Sequence, residues 1–456
     1  MTMKSKKLGL LLTTLTLSGS MLLSACGPDP AATTPTTAPA AVSPTGMEAA
    51  TSPTAMEAGE SPTAMEATES PTAMVGGGTG EGGTIKIVSS LPRTGLSKTQ
   101  TDDVVAGIKL ALAERNNKAG NFDIVYEDWD DATAQAGKWD AATEASNATK
   151  ASNDPDVMVY IGTFNSGAAA VAIPILNKAG LAMISPANTA PELTKKGFDD
   201  KVHDTLYTGG TRNYFRVVTA DDVQGAAAAN WATELGFKRA YVLNDQEVYG
   251  KGVANVFQSQ FTTNGGTVIA NEGYDPKQAE FRSLMTKVKD AGADIVYCGC
   301  LVDSGGPQLL KDLKSVAPEI QFMGPDGIQT QAFIDAAGAD VAAGTLATVA
   351  GKDEKDLPPA GQKFYESFRT TTGKAQPDPY AIYGYESMSV ALQAIEKVGK
   401  KDRAAILDAL KNVKDYQGAL GTWSFDENGD TTLSDIRGFK VEGGKFVFQK
   451  YLELKR

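Results

Sequence analysis

The stretch AYVLNDQEVYGKGVANVF, residues 240–257, carries the pattern that decides the fold. Its first four residues are apolar and β-prone, which indicates a buried strand. The loop that follows leads into Val253, Val256 and Phe257, whose spacing places them on one face of a helix. A buried strand followed by such a helix is the unit from which parallel sheets covered by helices are built.

The same order recurs along the chain from Thr84 onward. Further β-prone runs lie at residues 85–88, 157–162 and 294–297, with helical patterns between them. This alternation predicts an α/β protein, and roughly 370 residues suffice for two doubly wound, parallel-sheet lobes. Ligands of such sheets bind beyond the carboxyl ends of the strands. The loops that follow the strands are therefore where a functional site is expected.

Composition excludes several classes of function. The chain has 456 residues, and its 42% apolar content is enough for sizeable cores. Lys and Arg number 43 against 55 Asp and Glu, so the formal charge of −12 argues against a nucleic-acid partner. A single histidine, His203, excludes a multi-histidine metal cage, and three cysteines cannot build a disulfide framework. No cofactor and no metal are predicted.

Residues 1–25 are predicted to be a lipoprotein signal peptide. Three lysines precede an apolar stretch at residues 8–23, as in an export signal. The stretch ends in Leu23-Ser24-Ala25-Cys26, which resembles a bacterial lipobox and implies that Cys26 becomes a lipidated first residue. The alternatives are a plain transmembrane anchor or a secretory signal cut nearby. The chain is expected to be exported and lipid-anchored on the outer face of the cytoplasmic membrane.

Residues 26–83 are predicted to be the lipidated cysteine followed by a disordered linker. The segment is rich in Pro, Thr, Ala and Gly and has hardly any large apolar residue to bury. A unit beginning Ser-Pro-Thr recurs every nine residues, with its serines at positions 43, 52, 61 and 70. Each unit offers one methionine for stacking, so a duplicated spacer is favoured over a ligand-binding repeat.

Five loops, read in order, resemble those of the leucine/isoleucine/valine-binding protein family. They are IGTFNSGAAA (161–170), ISPANTAPELT (184–194), NDQEVYGKG (244–252), VYCGCLVDSGGPQLL (296–310) and FMGPDG (322–327). The resemblance covers essentially all of residues 84–456. It implies a periplasmic binding protein of the first structural type, in which two lobes joined by a three-stranded hinge close on an amino acid. Such a protein delivers its ligand to the permease of an ABC importer.

The resemblance also implies where the lobes begin and end. The first lobe is expected at residues 84–217 and 328–425, and the second at 218–327 and 426–456. The chain would then cross between lobes three times. Proteins of this family bind their ligand without converting it, so no enzymatic activity is expected. The chain is also expected to be a monomer.

Four residues are expected to hold the charged ends of the ligand. An amino-acid zwitterion needs donors for its carboxylate and acceptors for its ammonium, because burying either charge unpaired is costly. The resemblance assigns the carboxylate to Ser166, backbone groups to Ala187 and Thr189, a further hydrogen bond to the Thr189 hydroxyl, and the ammonium to Asp303. The alternatives are a helix N-cap at Ser166, a plain turn at residues 185–190, and a solvated loop carboxylate at Asp303.

The remaining pocket wall is expected to be largely aromatic. Tyr249, Tyr380 and Phe281 occupy positions that resemble pocket walls of the family, although aromatic residues are more often core residues. The family's first-loop aromatic is missing from residues 91–101, where Gln100 falls near its place. An amide in place of a ring leaves open whether the ligand is aliphatic, more polar or larger.

Three competing functions share these features to different degrees. A ligand sensor of the same fold would have the same signal, linker and cleft. A binder of amides, urea or another small polar solute would suit the altered first loop. An extracellular hydrolase using Ser166 fails, because His203 lies in a different motif and no G-x-S-x-G elbow surrounds the serine.

Cys298 and Cys300 are expected on opposite faces of a strand, which disfavours redox or metal chemistry.

Overall fold

A computed structural model describes residues 82–454, which form two lobes, each a sheet covered by helices. Cys26, the expected signal peptide and nearly all of the expected linker lie outside these residues. The first strand begins at Gly83, the last residue assigned to the linker. No helix between residues 82 and 454 is long and apolar enough to cross a membrane.

The first lobe contains a six-stranded sheet with the order β2-β3-β1-β4-β5-β6. All neighbours are parallel except β2, which pairs antiparallel with β3. The strands are β1 (Gly83–Leu91), β2 (Lys118–Ala119), β3 (Phe122–Asp130), β4 (Val157–Gly162), β5 (Ala182–Ser185) and β6 (Tyr214–Arg216). The helices that precede the second lobe are α1 (Lys98–Glu114), α2 (Ala141–Asn153), α3 (Ser166–Lys178) and α4 (Asp200–Leu206).

The second lobe contains a seven-stranded sheet with the order β15-β14-β11-β10-β9-β7-β8. Its strands are β7 (Arg239–Asn244), β8 (Thr267–Gly273), β9 (Ile295–Gly299), β10 (Gln321–Gly324), β11 (Leu346–Ala350), β14 (Ile436–Glu442) and β15 (Lys445–Tyr451). Its helices are α5 (Asp221–Glu234), α6 (Val248–Thr263), α7 (Arg282–Asp290), α8 (Gly306–Val316), α9 (Gln331–Ala337) and α10 (Ala339–Ala342). Strands β14 and β15 run antiparallel at one edge.

The chain returns to the first lobe after β11. There it forms α11 (Pro359–Thr372), α12 (Ala381–Val398), α13 (Arg403–Lys411) and a hairpin of β12 (Tyr416–Gly418) and β13 (Gly421–Trp423). Helix α12 packs along α1, which fixes its first turn near the cleft. All six residues of β4 are buried, because a parallel strand covered by helices on both faces has no solvent side. The predicted α/β fold with two parallel-sheet lobes is confirmed.

One expected lobe boundary is wrong. Residues 328–350 were expected in the first lobe, but β11 pairs with β10 and β14 inside the second sheet. The second crossing therefore follows Ala350 instead of Gly327. The run Leu346–Ala350 can be read as a buried strand from sequence, but only long-range pairing decides which sheet it joins.

The hinge contains a fully buried ion pair. Arg216, at the end of β6, has no exposed surface, and its Nε donates to Asp430 Oδ1 at 2.7 Å. Its Nη1 also donates to the Ala190 carbonyl at 2.8 Å. Burial acts to raise the pKa of Asp430, but the charge of Arg216 holds this pKa below its usual value. The pair ties the first crossing to the third, because Asp430 lies between β13 and β14.

Candidate functional site

A cavity of about 20 Å³ lies between the two lobes, at the ends of their strands. Residues of both lobes line it. The first lobe contributes Phe164, Asn165, Ser166, Ala187 and Tyr380, and the second lobe contributes Tyr249, Leu301, Asp326 and Gly327. A ligand held there would touch both lobes at once.

The first lobe presents the beginning of a helix to the cavity. Strand β4 ends at Gly162, and α3 begins at Ser166 on the cavity wall. The first amides of a helix have no partner within it and lie at the positive end of the helix dipole. The Ser166 hydroxyl accepts from the Ala190 amide at 3.3 Å, which holds it against the loop carrying Ala187. This wall is suited to an anionic group such as a carboxylate.

The second lobe presents a buried carboxyl group. Asp326 follows β10 and receives hydrogen bonds from three side chains. Tyr249 Oη donates to Asp326 Oδ1 at 3.0 Å, and Gln224 Nε2 donates to the same oxygen. The Tyr380 hydroxyl, from the first lobe, donates to Oδ2. Burial raises the pKa of Asp326, and these hydrogen bonds oppose the rise.

Gly327 allows the second-lobe wall to come this close. Its amide donates to Tyr249 Oη at 3.0 Å. A side chain at this position would begin 2.7 Å from Leu301 Cδ2 and 3.0 Å from the Cys300 carbonyl oxygen. Only glycine fits there without moving the cavity wall.

A second carboxyl group lies behind Asp326. Asp221 has no exposed surface, and Gln224 Nε2 donates to its Oδ1 at 2.8 Å while also donating to Asp326. Burial and the Asp326 charge raise the pKa of Asp221. Two carboxyl groups in one buried place favour a cation nearby, because a positive charge allows both to ionise. This wall is suited to an ammonium group.

Four of the residues predicted from sequence lie on the cavity wall: Ser166, Ala187, Tyr249 and Tyr380. Thr189 is buried beside them but is not part of the wall, and its carbonyl accepts from the Asp221 amide at 2.8 Å. Gln100 is buried on α1, also off the wall.

Asp303 is also off the wall. It lies in the short turn after β9, and Ser97 Oγ of the first lobe donates to its Oδ2 at 2.6 Å. Burial raises the pKa of Asp303. The carboxyl group that the structure places at the cavity is Asp326, in the turn after the neighbouring strand β10.

Phe281 belongs to the core of the second lobe. Its ring packs edge-on against Tyr274, with centroids 5.3 Å apart, and contributes to a cluster that includes Met285 and Leu309. The side chain is 2% exposed and does not touch the cavity. The alternative interpretation of this aromatic residue, as a packing group, fits the structure.

Sequence reasoning missed Asp326, although a signal was present. The segment Pro325-Asp326-Gly327 follows a buried strand directly, where a parallel sheet places its ligand groups. Nothing in the sequence distinguishes it from Asp303, which also follows a strand. The choice depends on which turn faces the other lobe.

The expectation for Cys298 and Cys300 is wrong. The two sulfurs form a disulfide, with the Cα atoms 5.4 Å apart. Residues two apart in a strand lie on the same face, so the strand pattern does not separate the two cysteines as expected. The disulfide is fully buried under the loop that carries Leu301 to the cavity.

Fold and cavity together define a two-lobed binding protein whose ligand is enclosed between α/β lobes. The family described as "Periplasmic binding protein" matches residues 84–445, and the chain belongs to this family.

Three relatives place the chain more closely. It is 30% identical to the Leu/Ile/Val-binding protein BraC3 of Rhizobium johnstonii, over 78% of this chain and 91% of the relative. It is 30% identical to the leucine-, isoleucine-, valine-, threonine- and alanine-binding protein of Pseudomonas aeruginosa, over 77% of this chain and 88% of the relative. The crystal structure of the leucine binding protein LivK from Thermotoga maritima is 25% identical and matches with a TM-score of 0.71, covering 81% of this chain and 99% of that one. The predicted family is confirmed.

Proposed function

We propose that the chain captures a free amino acid in the cleft between its lobes and delivers it to the permease of an ABC importer. The single observation that carries this proposal is the pair of opposed walls. The start of α3 with Ser166 faces the cavity from one lobe, and Asp326 faces it from the other. A zwitterion satisfies both walls, because its carboxylate meets helix amides and its ammonium meets a carboxylate.

The names of the relatives make the branched-chain amino acids the first ligands to test. The BraC3 relative is named for leucine, isoleucine and valine, and the relative from P. aeruginosa adds threonine and alanine. The apolar part of the wall, with Phe164 and Leu301, is compatible with an aliphatic side chain.

Contacts across the cleft support a mechanism of capture by closure. Tyr380 and Ser97 of the first lobe donate to Asp326 and Asp303 of the second. Lys138 Nζ of the first lobe also lies 2.6 Å from Glu247 Oε1 of the second. A ligand that touches both walls stabilises this closed arrangement over an open one, and closure reports occupancy to the permease.

We further propose that Cys26 is the lipid anchor and that the chain works as a monomer on the outer face of the cytoplasmic membrane. The support is the sequence Leu23-Ser24-Ala25-Cys26 behind an apolar stretch. Metabolic labelling with a fatty acid tests the anchor. Label that is present in the wild type and absent from Cys26→Ser is the expected result.

The function itself is tested by calorimetric titration of the full-length chain with the twenty amino acids, urea and short amides. We expect micromolar or tighter binding of at least one amino acid, which corresponds to about 8 kcal/mol. Ser166→Ala should weaken this binding. Binding of urea or amides without any amino acid would overturn the proposal.

A further inference from the structure

Asn165 is a buried amide side chain on the wall of the cavity between the lobes. It lies directly before α3 and is 5% exposed. Within residues 82–454, its Oδ1 has no hydrogen-bond partner. Leaving a buried acceptor unpaired is costly, and native proteins rarely do so without a reason. A donor on a bound ligand would remove the cost.

The place of Asn165 in the fold makes this unpartnered oxygen unusual. Asparagine is favoured directly before a helix, because its side-chain oxygen can accept from the first amides of the helix. Asn165 occupies this cap position of α3 but makes no such hydrogen bond. Its side-chain oxygen therefore does not compete with a ligand carboxylate for the first amides of α3.

The other polar side chains on the cavity wall already have partners. The hydroxyls of Tyr249 and Tyr380 both donate to Asp326. The Ser166 hydroxyl accepts from a backbone amide at 3.3 Å. Asn165 is the remaining polar side chain among the residues that line the cavity. Its Oδ1 is thus the acceptor on this wall that a ligand can use without displacing a contact.

The chemistry of Asn165 decides which ligand side chain it selects. An amide oxygen is neutral and suits a neutral donor, whereas a cationic side chain finds its strongest partner in a carboxylate. The proposed function assigns the ligand carboxylate to the start of α3 and the ammonium to Asp326, so the ligand side chain is left to meet Asn165. The cavity of about 20 Å³ favours a short side chain, because each further carbon would push its walls apart. The hydroxyl of serine or threonine is the shortest such donor.

We infer that Asn165 is a specificity-determining residue whose side-chain oxygen accepts a hydrogen bond from a hydroxyl on the ligand side chain, which assigns an amino acid of the threonine or serine class to the cleft. The inference rests on the proposed function, since it assumes that the α-ammonium and α-carboxylate occupy the cavity. The relative from P. aeruginosa is named for threonine as well as for aliphatic amino acids. For this chain the inference places threonine ahead of valine.

The test is calorimetric titration of the full-length chain with two matched pairs of amino acids. Threonine and valine differ by a hydroxyl in place of a methyl group, and so do serine and α-aminobutyrate. The ratio of the two affinities in each pair therefore isolates the hydroxyl. We expect the hydroxyl member of each pair to bind about tenfold more tightly, because the other member leaves the buried oxygen unpaired.

Two variants of Asn165 separate an acceptor from a residue that only supports the fold. Asn165→Leu puts an apolar group of similar size in place of the amide and should bring both ratios to within about twofold. Asn165→Asp keeps an acceptor and should retain both ratios, although its charge repels the ligand carboxylate and weakens all binding. A purely supporting residue would change all affinities together. Asn153→Leu, at an exposed position on α2, is the matched control and should bind like the wild type.

The ratios in the wild type test the inference even if a variant misfolds, which the melting temperature of the unliganded variant reports. Valine binding as tightly as threonine in the wild type would overturn the role of Asn165 and leave the proposed function standing. Unchanged ratios in folded Asn165→Leu, or ratios lost in folded Asn165→Asp, would do the same. Failure of all twenty amino acids to bind would overturn both.

Discussion

The hydroxyl of Tyr380, in the first lobe, donates a hydrogen bond to Asp326, in the second. This contact spans the cavity and joins one wall to the other. The Tyr380 ring is fixed independently by Phe164, whose centroid lies 5.6 Å away. The hydroxyl can therefore be removed without losing the packing of the ring.

Tyr380→Phe should weaken amino-acid binding about tenfold, because a hydrogen bond to a buried carboxyl group contributes about 1.5 kcal/mol. The unliganded protein should melt within a few degrees of the wild type. Calorimetry and thermal unfolding measure the two effects. Tyr385→Phe is the matched control, since that hydroxyl donates to Glu114 outside the cavity. Equal losses of affinity in both variants would refute a specific role for Tyr380.

The difference between Asp303 and Asp326 marks the limit of what sequence can predict. Both follow strands of one parallel sheet, so the sequence places both at the ligand-binding edge. Their environments differ through long-range contacts. Ser97, more than 200 residues away, binds Asp303, whereas Tyr249 and Tyr380 enclose Asp326. Local patterns cannot distinguish the two turns.

The strands and the loop order were more accessible to prediction. The run at residues 157–162 coincides with β4, because six consecutive apolar or small residues suit a strand covered on both faces. The family resemblance assigns Ser166 to the ligand, and the structure has it at the start of α3 on the cavity wall. An aromatic side chain serves a core as well as a pocket, so the local sequence does not decide the place of Phe281.

Phe281→Ala should reduce stability and leave ligand affinity within about twofold. Removing a buried phenylalanine ring costs about 3 to 5 kcal/mol through lost burial and the cavity left behind. Urea unfolding measures the stability and calorimetry the affinity. A large loss of affinity with unchanged stability would instead return Phe281 to the pocket wall.

Glu192 should make stability depend on pH. It is 4% exposed, and burial raises its pKa to about 7. An unfolded glutamate has a pKa of about 4.3, so between about pH 4 and 7 the folded state binds more protons and stability falls as pH rises. The free energy of unfolding of Glu192→Gln, measured relative to that of the wild type, should rise by on the order of 3 kcal/mol from pH 4 to pH 8.

Urea unfolding at several pH values measures this difference. Glu366→Gln, an exposed position on α11, is the control and should leave the pH profile unchanged. Parallel profiles for Glu192→Gln and the wild type would contradict a buried, protonated Glu192.

Arg216→Met should destabilise the chain by about 3 kcal/mol, since it removes the buried partner of Asp430 and leaves Lys195, 3.3 Å away, as its charged neighbour. Adding Asp430→Asn to this variant should recover part of the loss, because a buried carboxylate that has lost Arg216 is gone. Denaturant unfolding of the single and double variants measures both steps. A single variant within about 1 kcal/mol of the wild type would exclude a structural role for the ion pair at the hinge.

Asp326 is tested most directly by the affinity of Asp326→Asn for the amino acid that binds the wild type most tightly. We expect a loss of about tenfold to a hundredfold, since the ligand ammonium loses its charged acceptor. Asp408→Asn, at an exposed position on α13, should bind like the wild type. Unchanged affinity in Asp326→Asn would show that the ammonium lies elsewhere and would contradict the assignment of the cleft.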